Sequence, residues 1–172
     1  MTYHEKRTIM TSLIGIAVTI SYLIFAITSY NSGSTESLTL EFWAMWILIF
    51  IGIGIVAVII GMILFHIFYS IGLAIKLKMA DESLSDKDIE KKINSIIKTD
   101  TLEDEMEKLI GLKSMRVGFA FAGFGLILSL VSLLLNGSPI FMINIIFLAF
   151  SLGSALEGFV QLYYYKKGIH HA

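Results

Sequence analysis

His66 and Glu157 stand inside otherwise apolar stretches. An ionisable side chain held in hydrocarbon is costly enough to mark a functional position by default. Brought together, imidazole and carboxyl could relay a proton or coordinate a cation, because a low-dielectric site perturbs both titrations and imidazole works near neutrality. Kept apart, they reduce to a neutral imidazole and a protonated or Gln161-bonded carboxyl that hold helices together. Helical rise leaves both arrangements open. Counted inward from Lys76 and Lys166, the two residues lie about 15 and 14 Å deep, but counted from Glu41 and Pro139 they lie about 37 and 27 Å along their helices. Tilt could reconcile the depths, or His66 could lie at the inner interface beside Tyr69.

Other chemistry finds little support. Haem ligation by His66 needs a second axial ligand, and no other His falls in an apolar stretch, so a symmetric dimer or a Met would have to supply it. His170 and His171 form a weak terminal metal-binding pair. The chain has no Cys, which excludes disulfides, Cys-ligated zinc, iron–sulfur clusters and thiol catalysis. No Ser/His/Asp set, zinc motif, phosphate loop or facing acidic pair can be assembled. The expectation is therefore a non-enzyme with no catalytic residues, cofactor or metal.

The elements that must position His66 and Glu157 are membrane spans. A composition 56% hydrophobic and 16% charged, with mean hydropathy of +0.78, exceeds what a soluble core requires. Four apolar stretches, at about 9–30, 42–75, 117–135 and 140–165, each supply the twenty or so residues that cross about 30 Å of hydrocarbon. The first is too long for a cleaved leader and lacks a small-residue cleavage site, so a retained helix is expected. The second makes about 51 Å of helix, so it must tilt or project. All thirteen Lys and Arg fall on one side of the four stretches, while the two connections opposite carry only Glu36 and Glu41. The positive-inside rule then puts both termini and the 76–116 loop in the cytoplasm. The fold class expected is all-α: one polytopic membrane domain over residues 1–172, N-in and C-in, with a short helical cytoplasmic loop between spans two and three. Acidic residues mixed among the basic ones argue against nucleic acid as a partner.

Small and weakly polar residues suggest how the spans meet. Gly118, Ala122, Gly125, Ser129, Ser132 and Asn136 alternate by four and three in span three, which places them on one helix face. Span one repeats the rhythm at Ser12, Gly15, Thr19, Tyr22, Ala26 and Ser29, and span four offers Asn144, Ser151, Ser154, Gly158 and Gln161. Such faces are packing seams in lipid, where small residues let backbones approach; a hydrated path along them is the alternative. Trp43, Trp46 and the run 163–165 of Tyr are expected to anchor the two interfaces.

The loop is expected to form two short helices. Ile89, Ile93 and Ile96 recur at helical spacing among Lys87, Lys91, Lys92 and Lys98, which suits a helix lying on an anionic lipid surface or docking on a protein; a solvated linker helix is the alternative. Thr101 with Asp104 approximates a capping box for the second helix, with Glu103, Asp104, Glu105 and Glu107 as first-turn acids. The alternating oxygen ligands and central Gly of a calcium loop are missing.

Three segments carry a resemblance: Met1-Thr-Tyr-His-Glu-Lys-Arg7, Asp104-Glu-Met-Glu-Lys-Leu-Ile110 with Lys113-Ser-Met-Arg116, and Leu162-Tyr-Tyr-Tyr-Lys-Lys-Gly168. Together they resemble a family of small bacterial four-helix integral membrane proteins without an assigned activity. The resemblance implies a bacterial cytoplasmic membrane location and a regulatory setting, and it brings no catalytic residues. Similar proteins show Asp-Glu-Arg-Asp where this chain has Asp104-Glu-Met-Glu107, so no role for that Arg passes to Met106. The function expected is a regulatory or interaction role through the cytoplasmic loop. Its partners would be the bilayer, a cytosolic protein and, in a homodimer, a second copy. The alternative is a small oligomeric transporter or proton-coupled exporter that uses His66 and Glu157.

Overall fold

The computed structural model describes residues 1–33, 35, 39–81, 85–102 and 104–168, with the backbone alone for Asp86. Glu36, Glu103, His170 and His171 lie outside the described residues. Those residues form five helices and no strand: α1 (Tyr3–Asn31), α2 (Leu40–Ala80), α3 (Asp86–Asp100), α4 (Glu105–Leu134) and α5 (Pro139–Lys167). All but α3 are long and apolar enough to cross a membrane.

Each start has a local cause. Thr2 caps α1 in a capping box: its hydroxyl accepts from the Glu5 amide at 3.2 Å, and its own amide donates to Glu5 Oε2 at 2.8 Å. The helix thus begins well before the apolar stretch does. Thr39, Ser85 and Ser138 cap α2, α3 and α5, with Pro139 opening α5 at the position where no amide is needed.

The second expected loop helix does not exist as a separate element. Asp104 is itself the N-cap, accepting from the Glu107 amide at 2.7 Å, while Thr101 closes α3 as its C-cap. From Glu105 onward nothing stronger than the isolated Gly111 interrupts the helix, so it runs unbroken into span three. The turn after α4 is a Schellman motif. Asn136 takes φ 63°, the Gly137 amide donates to Ser132 O at 2.8 Å, and the Asn136 amide donates to Leu133 O at 3.2 Å. A Cβ on Gly137 would come within 2.5 Å of Ser132 O, so only glycine fits there.

The most extensive interface lies between α4 and α5; α1 fits against α5 and α2, and α2 also touches α3 and α5. On α4 the buried row is Ile110, Ser114, Gly118, Ala122, Gly125 and Ser129, the expected face from Gly118 to Ser129 extended by two turns toward its N-terminus; Ser132 is half-buried, and Asn136 falls in the turn after the helix, exposed. Its counterpart on α5 is Ala149 with Gly153. A Cβ on Gly153 would sit 2.7 Å from Gly118 O, and one on Gly125 would collide with Ala149. The α5 row named from sequence faces elsewhere: Asn144 accepts a 2.5 Å hydrogen bond from the Tyr22 hydroxyl of α1, and Gly158 lies against Ser12.

Between α1 and α2 the contacts are large side chains. Ile14 fits over Gly61. Phe25 is ringed by Phe42, Trp43, Trp46 and Phe50, with centroids 4.5–6.3 Å away. Trp43 is only 2% exposed, so its ring packs inside this cluster.

Candidate functional site

One end of the bundle gathers the residues that could do chemistry. It is the end where α1 begins, α2 and α5 finish and α4 starts, and it carries the Lys and Arg side chains.

His66 and Glu157 have different surroundings there. His66 Nε2 lies 3.1 Å from the Tyr3 hydroxyl, in an aromatic group where the Tyr3 ring centroid stands 5.2–5.8 Å from those of His4, Phe65, His66 and Tyr69. This cluster ties the start of α1 to α2. Next to it, the Tyr69 hydroxyl donates to Asp100 Oδ2 at 2.5 Å, fastening the last turn of α3 to α2, and Lys6 Nζ sits 5.5 Å above the Tyr69 ring.

Glu157 instead opens into a polar cavity of about 600 Å³ between α1, α4 and α5. The helical periods of three chain segments meet in it. Residues 4, 7, 8 and 11 share one face of α1, residues 107, 108, 111 and 115 share one face of α4, and residues 157, 161 and 165 share one face of α5. Within the cavity His4 Nε2 stands 2.9 Å from Glu107 Oε2, an ion pair whenever the imidazole is protonated. The Tyr165 hydroxyl meets the side chains of Gln161 and Thr8. Arg7 and Lys108 add two cations to this wall. Glu157 has room because its neighbour on α4 is Gly118: a Cβ there would lie 3.2 Å from Glu157 Oε2.

The cavity does not end at Glu157. A smaller space of about 300 Å³ shares Thr8, Thr11, Glu157 and Gln161 with it and adds Ser12, Gly15, Val58 and Ser154. Gly15, Val58 and Ser154 in turn line a third space of about 740 Å³, almost wholly apolar, between α1, α2 and α5. The lining therefore changes from one space to the next, from paired charges, through hydroxyls and one carboxyl, to hydrocarbon walls. Among the described residues, no three His, Cys, Asp or Glu side chains converge as a metal-holding group.

The isoleucine face of α3 is turned to its own chain. Ile89 is 7% exposed, Ile93 and Ile96 are half-buried, and Lys91 and Lys92 are exposed; α3 rests on α2.

Sequence reasoning singled out Glu157 and Gln161 but passed over His4, Arg7, Thr8, Thr11, Lys108 and Tyr165, and it treated Glu107 only as a first-turn acid. The signal was present. The polar spacing of span one continues backward from Ser12 through Thr8 to His4, beyond the apolar boundary at which the reading stopped. Compared with known proteins, the chain matches no family model, no curated protein and no solved structure at significance.

Proposed function

We propose that this is a non-enzymatic integral membrane protein of the bacterial cytoplasmic membrane, with both termini cytoplasmic, acting as a regulatory or interaction protein through its cytosolic layer. One observation carries the reading: the connection between spans two and three is a built surface. At 1.5 Å per residue α2 is about 61 Å long, twice the hydrocarbon thickness of about 30 Å. Its projecting end is braced by the Tyr69–Asp100 hydrogen bond and the Tyr3 cluster. Lysines point outward from α3 while Ile89 is folded inward, which favours contact through charge and through the half-covered Ile93 and Ile96. Acidic residues between the lysines make a protein partner a better fit than nucleic acid.

The test is in-cell crosslinking from Lys91 and Lys92. A crosslinked species of one fixed mass is expected, lost in Ile93→Asp/Ile96→Asp while the protein still accumulates in the membrane; an unchanged pattern overturns the proposal.

A second reading has its own observation, the cavities that border Glu157. A small transporter or proton-coupled exporter would use Glu157 and Gln161, with His66 bracing the α1–α2 contact from the side. Four spans rarely enclose a path alone, so this reading requires a homo-oligomer, and a strict monomer in native-like lipid would remove it.

A further inference from the structure

We infer that the neighbouring cavities form a binding site for one phospholipid whose head group carries a primary ammonium, with the head between Arg7 and Glu157 and an acyl chain in the apolar space between α1, α2 and α5. The inference rests on the four helices crossing a bilayer and is independent of the cytosolic-partner proposal.

The chemistry of the walls selects the ligand. The polar cavity holds both signs of charge: Arg7 and Lys108 among its lining residues, with Glu107 and Glu157. An anion alone would leave the carboxylates facing it, and a cation alone would leave the guanidinium and ammonium facing it. A zwitterion with phosphate and ammonium a few atoms apart matches both, since guanidinium groups pair well with phosphate oxygens and a carboxylate accepts strongly from an ammonium. Glu107 is oriented by His4 at 2.9 Å, which leaves Glu157 and Gln161 to take the amine at the inner end of the head site.

The apolar part suits a hydrocarbon chain. On α5 its lining runs outward from Ser154, one turn beyond Glu157, to Ile143, about 16 Å of helix, so a chain attached to the head would continue into it. The space is not sealed: Leu48, Ile51 and Phe150 on its border are 44% exposed or more, so a chain can enter sideways from the bilayer. A free zwitterion such as phosphoethanolamine would fill the polar part and leave the hydrocarbon walls unused. Gly15 stands where the smaller space meets the apolar one, and nothing lies within 4 Å of the position of a Cβ there. A large side chain at that point would start from open space and extend into the junction.

The experiment is native mass spectrometry of the full chain released from nanodiscs, with phosphatidylethanolamine, phosphatidylglycerol, phosphoethanolamine and dodecylamine as separate probes. The expected result is one retained phosphatidylethanolamine, favoured over phosphatidylglycerol by at least about tenfold, the scale of one charge-assisted hydrogen bond. That preference should vanish in Glu157→Gln. Gly15→Leu should lower phosphatidylethanolamine retention by a similar factor while leaving the weak binding of phosphoethanolamine unchanged, which keeps the test decisive if Glu157→Gln fails to fold. Equal retention of the two phospholipids overturns the inference, as does a preference unaffected by Glu157→Gln in folded protein. Dodecylamine binding as tightly as phosphatidylethanolamine overturns the phosphate contact and makes the site one for amphipathic amines. Phosphoethanolamine binding as tightly as the lipid removes the acyl chain from the proposal.

Discussion

The α4–α5 hairpin and the α1–α2 hairpin are made of helices of similar apolarity, yet they pair in opposite ways. In the first, glycine, alanine and serine at spacings of four and three bring two backbones into contact, so that Gly125 and Gly153 each leave no room for a Cβ. In the second, Ile14, Phe25, Trp46 and Phe50 hold the helices apart by whole side chains, and the room left over beside α5 becomes a cavity. In lipid, where no hydrophobic effect separates a neighbouring helix from a tail, close backbone approach is the main device for association. A pairing that forgoes it keeps space for something else. One half of this molecule is therefore a scaffold, and the other carries the site against it, with Glu157 at the border because Gly118 gives it room.

The contrast can be broken most severely at Gly153. A Gly153→Leu substitution drives a Cβ into Gly118 O at 2.7 Å and should cost about 3 kcal/mol, the upper part of the overpacking range, read as loss of thermal stability in nanodiscs. Next in size is Tyr69→Phe, which removes the hydrogen bond to Asp100 and should cost about 1 kcal/mol. Its readout is local: faster amide exchange over 86–100 with the spans unchanged. Tyr22→Phe deletes the hydrogen bond to Asn144 and should cost about 0.6 kcal/mol, the average for such bonds between membrane helices. Gly15→Ala sharpens the comparison by reversing its sign. With open space at that Cβ, exchanging a mid-helix glycine for alanine should stabilise by about 0.5 kcal/mol, whereas Gly125→Ala, which would collide with Ala149, should destabilise.

Much of the scaffold was legible in the sequence, and less of the site. The four long apolar helices follow from composition and length alone, and the α4 face from Gly118 to Ser129 follows from helical period, because both depend on one segment at a time. On α5 there are two rows of small residues, and the one named from sequence packs against α1 at Ser12 and Tyr22. The row with hydroxyls and amides drew attention, while the Ala149–Gly153 row, with nothing but size to mark it, made the contact with α4. Helix ends were set by caps more than by apolarity, so α1 and α4 start outside the stretches that hydropathy outlines: Thr2 with Glu5 begins one, Asp104 the other. The site was hidden for the same reason. His4, Arg7 and Glu107 belong to those early turns, and counting depth along separate helices could not reveal that His66 meets Tyr3 while Glu157 opens into the cavity with His4.

A chain without cysteine allows the most direct test of a polar cavity that opens at the lysine-bearing end, proposed to be cytoplasmic, and places Glu157 within it. Single substitutions Gln161→Cys, inside the cavity, and Phe119→Cys, on the outer face of α4, would be exposed to a membrane-impermeant thiol reagent in inside-out and right-side-out vesicles. The cavity requires Gln161→Cys to label in inside-out vesicles only and Phe119→Cys to label in neither. Labelling of Gln161→Cys from the opposite side would invert the topology, and no labelling from either side would mean that the cavity is closed to water.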